Sequence, residues 1–206
     1  MNLLFLLFFM EASMSSHSAF ISSRMPRSGS LLISLGVMHL LKRSFPNVAF
    51  FKPVVLEKED ADCQFIKQFL KLKQPLETMQ GMGLSETMHL ISEEGVEGWH
   101  QQVLERIEKL KESYDFVLIH GVGSDSELEN ELPDADLALS QQLDCPLFEV
   151  FNGKGLTLNE LQEIIELESH KAEKQRLPIE TVFINRTEIS DEDRRALQAF
   201  KADERP

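Results

Sequence analysis

The fold class predicted by this sequence is α/β, a parallel β-sheet flanked by helices, and three observations carry that expectation. Helix-period segments alternate along the chain with short β-rich runs, the pattern of a sheet wrapped by its own crossovers. The β-rich runs are almost continuously apolar, as strands covered on both faces must be. The first run, Ala19 to Ser22, also passes through a Pro/Arg/Ser/Gly turn directly into an amphipathic helix bearing Leu31, Leu32, Leu35 and Met38.

Taken in order, strands are expected at 19–22, at 48–51 running on through 52–55, and at 116–119, 147–151 and 181–184. Helices are expected at 31–43, 63–72, 85–92, 96–113, 134–143, 158–173 and 190–201. In the fourth of these, Val103, Ile107 and Leu110 recur at helical spacing on one face, with Glu105, Lys109 and Glu112 on another. The last opens with Ser190-Asp191-Glu192-Asp193, a capped and acid-rich helix start. Trp99 and the phenylalanines are read as core residues.

A chain of 206 residues is long enough for one full α/β domain with a real core. Residues 14–206 are read as that single domain, since no internal repeat and no long Pro/Gly/Ser linker divides it. The net charge of −13 argues against nucleic-acid and anionic-membrane partners, which are held by clustered Lys and Arg. Cys63 and Cys145 lie far apart without metal-ligand spacing, and read as buried thiols of a reducing cytoplasm. His17, His39, His89, His100 and His170 form no pair at metal-ligand spacing, so no metal site is expected.

The run Leu3-Leu4-Phe5-Leu6-Leu7-Phe8-Phe9 is apolar but too short to span a bilayer. No basic residue precedes it and Glu11 follows closely, so it does not read as a secretory signal. Residues 1–13 are expected to be a poorly ordered extension or a mis-assigned start, with Met10 and Met14 as later starts.

The strand–turn–helix at 18–36 is the setting in which a phosphate-binding Walker A loop, G-x-x-x-x-G-K-[ST], has meaning. Laid on that pattern, Arg24 takes the first glycine's place and Gly29 matches the second. Ser30 replaces the lysine and Leu31 the Mg²⁺-binding hydroxyl. Treating the lysine as a one-residue gap returns Ser30 to the hydroxyl position, but no alignment returns the lysine.

Five segments in order, 28–36 (Ser-Gly-Ser-Leu-Leu-Ile-Ser-Leu-Gly), 50–54 (Phe-Phe-Lys-Pro-Val), 114–121 (Tyr-Asp-Phe-Val-Leu-Ile-His-Gly), 135–146 (Ala-Asp-Leu-Ala-Leu-Ser-Gln-Gln-Leu-Asp-Cys-Pro) and 183–186 (Phe-Ile-Asn-Arg), resemble the N-terminal domain of long-form bacterial phosphate acetyltransferase. That domain is itself similar to dethiobiotin synthetase and its P-loop relatives. The resemblance implies a P-loop NTPase-like, dethiobiotin synthetase-like sheet. It also implies a family whose reaction, acetyl-CoA plus phosphate to acetyl phosphate plus CoA, belongs to a separate C-terminal domain. The chain stops at Pro206, where the relatives continue into another strand, so it is expected to be the N-terminal piece of a longer enzyme or a truncated gene product.

The resemblance also marks candidate site residues: Arg27, Ser28, Gly29 and Ser30 in the loop, Lys52 beside substrate and phosphate, His120 where relatives carry a carboxylate, and Asn185 as a base-contacting amide. Each has a plainer reading: Lys52 as a solvated lysine before a proline, His120 as a substituted position in a disused site, and Asn185 as a turn-forming residue. Neutral imidazole is a poor Mg²⁺ ligand, though it can act as a general base. Asp134 and Asp136 match an acidic pair of the family and equally suit a helix N-terminus. Gly153-Lys154-Gly155 reads as a β–α turn, and the acidic stretch 121–133 as either a site loop or a solvated connection.

The expectation is therefore a regulatory or assembly domain without catalytic residues of its own, associating with copies of itself or with an acetyltransferase catalytic domain. No cofactor is expected, ATP and Mg²⁺ binding at most weakly. The alternative is a working ATP- and Mg²⁺-dependent ligase of the dethiobiotin synthetase type, for which Ser30, Leu31 and His120 remove most of the charge-neutralising equipment.

Overall fold

Strand β1 (Ser18–Ser23) is covered on both faces, and its apolar alternation seeds two separate cores. A computed structural model describes residues 17–23, 25, 27–56, 59–122, 135–174 and 179–203. The extension 1–13, Met14, Arg24, residues 123–133 of the acidic stretch and Asp134 lie outside the described residues.

After β1 come α1 (Ser30–Ser44), β2 (Val48–Val55), α2 (Ala61–Leu70), the short α3 (Leu76–Met79) and β3 (Gln80–Gly83). They are followed by α4 (Leu84–Lys111), β4 (Phe116–His120), α5 (Ala135–Gln142), β5 (Leu147–Asn152), α6 (Leu158–Lys174), β6 (Ile179–Asn185) and α7 (Asp191–Asp203). The strands form one six-stranded sheet in the order β3-β2-β4-β1-β5-β6, and every pairing is parallel. The expected parallel sheet flanked by helices is therefore present.

Because side chains alternate along each strand, the sheet feeds two layers. On one face Phe20, Phe51, Val117, Ile119 and Leu147 pack against Trp99, Val103 and Ile107 of α4 and Leu137 and Leu139 of α5. On the other, Ile21, Phe50, Phe116, Leu118 and Phe148 pack against Val37, Met38 and Leu41 of α1, Cys63 and Ile66 of α2, and Met79. Both cysteines are free and buried.

Several sequence expectations change. Strand β3 and helix α3 were not expected; each is four residues long, too short for a period to register. The expected break between helices 85–92 and 96–113 is kept within α4, where Gly95 leaves helical geometry (φ 76°, ψ −179°). Helix α2 begins earlier than expected because Asp60 caps it, its Oδ1 accepting from the Cys63 amide at 3.0 Å. Leu32 turns outward at 68% exposure, leaving Val37, Met38 and Leu41 as the buried stripe of α1. Phe65 and Phe69 are likewise exposed, their rings 5.7 Å apart on α2, rather than core residues.

Strand β3 pairs with β2 only from Lys52 onward, where Lys52 meets Gln80. Two residues earlier on β2, at Phe50, the side chain of Gln74 takes the strand's place. Its Oε1 accepts from the Phe50 amide at 2.9 Å, and its Nε2 donates to the Phe50 carbonyl at 3.1 Å.

Candidate functional site

The loop between β1 and α1 leaves the sheet at its carboxyl edge, where open α/β sheets hold ligands. Gly29 caps α1 in the left-handed region (φ 80°), a conformation that suits glycine. A Cβ there would also come within 3.0 Å of Asn185 Nδ2. The loop is stitched to its surroundings by its own groups. Ser23 Oγ and Ser28 Oγ are 2.7 Å apart, and Ser23 Oγ donates to the Met25 carbonyl at 3.1 Å. From the far end of the sheet, Asn185 Nδ2 donates to the Ser28 carbonyl at 3.0 Å and Arg186 Nη1 to the Arg27 carbonyl at 3.4 Å. Arg27 is exposed and Ser28 buried, while Ser30 opens the helix half-buried.

His120 ends β4 beneath this loop. Its Nδ1 lies 2.8 Å from Ser34 Oγ on α1, and its ring is 5.9 Å from that of Phe50. Burial, reinforced by the Lys52 charge, holds its pKa down at about 4, so the ring is neutral at physiological pH. Ser34 is fully buried and His120 nearly so, and the pair joins helix to sheet. Ser34 lies one turn beyond Ser30, and that spacing was the signal available for it in the sequence.

Lys52 also reaches this face, from the middle of β2. Its Nζ lies 2.9 Å from Asp60 Oδ2 and 2.7 Å from Asp62 Oδ2, so two carboxylates surround one ammonium. Burial alone pulls the Lys52 pKa down; the hydrogen bonds and charges of Asp62 and Asp60 outweigh it and leave the pKa raised. The Asp60 carboxyl, pushed up by burial, is brought below its ordinary value by Lys52 and by the Cys63 amide. Neither aspartate was singled out in the sequence; Asp60 stands directly before the α2 period, a cap position that could have marked it. Burial, together with the Asp60 charge, raises the neighbouring Cys63 thiol, and burial pushes Cys145 up to about 12, so both stay protonated.

The structure thus brings Ser28, Gly29 and Asn185 into direct contact and joins Arg27 to Arg186. His120 and Lys52 stand on the same sheet face, bonded to other partners. Asp136 lies on the opposite face, near the sheet's carboxyl edge: its Oδ2 accepts from Ser22 Oγ at 2.9 Å and its Oδ1 from the Val122 amide at 2.8 Å. Gly121 permits this approach, because a Cβ there would sit 2.1 Å from Asp136 Oδ2. Around Gly153, Lys154 and Gly155 the chain makes a β–α turn, with the Lys154 amide donating to Asn152 Oδ1 at 3.2 Å.

Among the described residues no group of three or more His, Cys, Asp or Glu could hold a metal ion. No described helix is long and apolar enough to cross a membrane. Ser30 stands where a Walker A loop carries its lysine, and the nearby cation of Lys52 faces the carboxylates of Asp60 and Asp62.

Residues 17–203 match the AAA_26 family, described as an AAA domain. The phosphate acetyltransferase of Nitratidesulfovibrio vulgaris is 30% identical over 186 residues, covering 87% of this chain and 26% of that protein. The phosphate acetyltransferase of Synechocystis sp. is 23% identical over 178 residues, covering 83% of this chain and 25% of that protein. The chain thus spans about a quarter of the length of these relatives. A crystal structure of FlhF complexed with GMPPNP/Mg(2+) aligns with 82% of this chain and 55% of its own at a TM-score of 0.46 and 13% identity. With a six-stranded parallel sheet, a strand–loop–helix at its centre and a family match across residues 17–203, the chain belongs to the AAA_26 family of P-loop-like domains.

Proposed function

We propose that this chain is a regulatory and assembly domain of a phosphate acetyltransferase-like protein, cytoplasmic, with a degenerate nucleotide site. The conversion of acetyl-CoA and phosphate to acetyl phosphate and CoA is carried out elsewhere in such an enzyme. One observation carries the reading: the polar groups around the loop are bonded to one another. Lys52 faces Asp60 and Asp62, His120 faces Ser34, and the Asn185 amide is held by the Ser28 carbonyl. Phosphoryl transfer needs positive charge on the transferred group, and Ser30 stands where the loop lysine would supply it.

Calorimetric titration with Mg²⁺-ATP tests the site. Binding weaker than millimolar is the expected outcome. A micromolar dissociation constant that weakens when Gly29 is replaced by alanine would favour an ATP-dependent ligase instead. The 206-residue chain should also form no acetyl phosphate from acetyl-CoA and phosphate above a heat-killed control; formation above it removes the division of labour.

Assembly is supported by the exposed Phe65–Phe69 pair, an apolar contact on an otherwise acidic chain. Sedimentation should show self-association that weakens in the Phe65→Ser/Phe69→Ser double variant. A monomer at high micromolar concentration in both proteins rules out self-association through this pair.

A further inference from the structure

We infer that the cavity between α6, β6 and α7 is a binding site for a small carboxylate with an aliphatic body, its headgroup held by Arg186 and Arg194. The cavity measures about 530 Å³, within the roughly 300–1,000 Å³ typical of small-molecule pockets. Its walls include half-buried Val182, Ile184, Ile189 and Leu197, branched apolar side chains that suit a hydrocarbon. Phe183 packs with the core on the α1 side, so Val182 and Ile184, alternating with it, face the other way. The cavity therefore lies across the sheet from α1, with Arg186 shared between its lining and the loop. The inference does not depend on whether that loop binds nucleotide.

Charge selects the headgroup. In a chain of net charge −13, two guanidinium groups line one cavity together with its aliphatic side chains. Their present partners are distant. Arg194 Nη1 stands 3.9 Å from the exposed Asp191 carboxylate, and Arg186 Nη1 reaches the Arg27 carbonyl at 3.4 Å. A carboxylate in the cavity offers both guanidinium groups shorter, charge-assisted bonds. Arg186 thereby links the sites: a carboxylate that draws it off the Arg27 carbonyl alters the turn that presents Gly29.

The full chain is titrated with sodium octanoate and followed by methyl and amide NMR. Saturable shifts are expected at the methyls of Ile184 and Leu197, accompanied by a shift of the Gly29 amide. Octanol, the same body without the charge, and acetate, the charge without the body, should each bind at least about tenfold more weakly. Arg194→Gln should weaken octanoate by about the same factor. Absence of shifts at these methyls, non-saturable partitioning across the surface, or octanol binding as tightly as octanoate overturns the site. An unmoved Gly29 amide during saturation overturns the link to the loop. The octanol comparison uses the unmodified chain, so it decides even where Arg194→Gln does not fold.

Discussion

Acid should destabilise this protein through one buried ring. His120 is held neutral at a pKa of about 4 by burial beside Lys52, against about 6.5 for a solvated imidazole in the unfolded chain. Between those values the unfolded state binds a proton that the folded state does not, so stability falls as pH falls. At about 1.4 kcal/mol per pH unit across that interval, His120 removes about 3 kcal/mol between pH 7 and pH 4. Urea denaturation followed by the fluorescence of the buried Trp99 reads this directly. The comparison is with His120→Asn, whose amide can still meet Ser34 Oγ and does not titrate. The variant should lose about 3 kcal/mol less than the parent over that range. Carboxylates that also weaken in acid, Asp60 among them, cancel in this difference. Equal losses in the two proteins, within about 0.5 kcal/mol, would refute the reasoning and mean that the folded imidazole is as free to protonate as the unfolded one.

Lys52→Met leaves Asp60 buried without its cation and should cost about 3 kcal/mol in the same urea assay. Asp62→Asn, on a side chain 39% exposed, should cost under about 1 kcal/mol; a larger effect than that of Lys52→Met would reverse the assigned roles. Gly29→Ala places a Cβ at φ 80° and 3.0 Å from Asn185 Nδ2, and should cost about 1–2 kcal/mol, read as a lowered Tm. An unchanged Tm there would mean that the loop relaxes freely away from β6.

The sheet was legible because its strands are covered on both faces, so that Val48–Phe51 or Phe116–Ile119 shows as an unbroken apolar run. Gln80–Gly83 was not: Gln and two Gly carry no β signal, and tertiary pairing to Lys52–Val55 makes it a strand. Helix α1 was placed correctly while Leu32 was assigned to the wrong side, since a helical period marks a stripe but does not say where its edge falls. Within the site, the loop and the residues Lys52, His120 and Asn185 stood out as residue types. Their partners Asp60, Asp62 and Ser34 did not. Those pairings are set by how α1 and α2 lie on β4 and β2, a tertiary relation that local spacing does not encode.

Gln74 has a consequence for the edge of the sheet. With its amide occupying both main-chain groups of Phe50, β3 has nowhere to slide along β2, so the side chain acts as a stop that fixes where the outermost strand begins. Shortened to alanine, it would uncover a donor and an acceptor beside two large aromatic residues, Phe50 and Phe51. The same gap could then be filled by an extended segment of another chain, turning a finished border into a place where molecules add to one another.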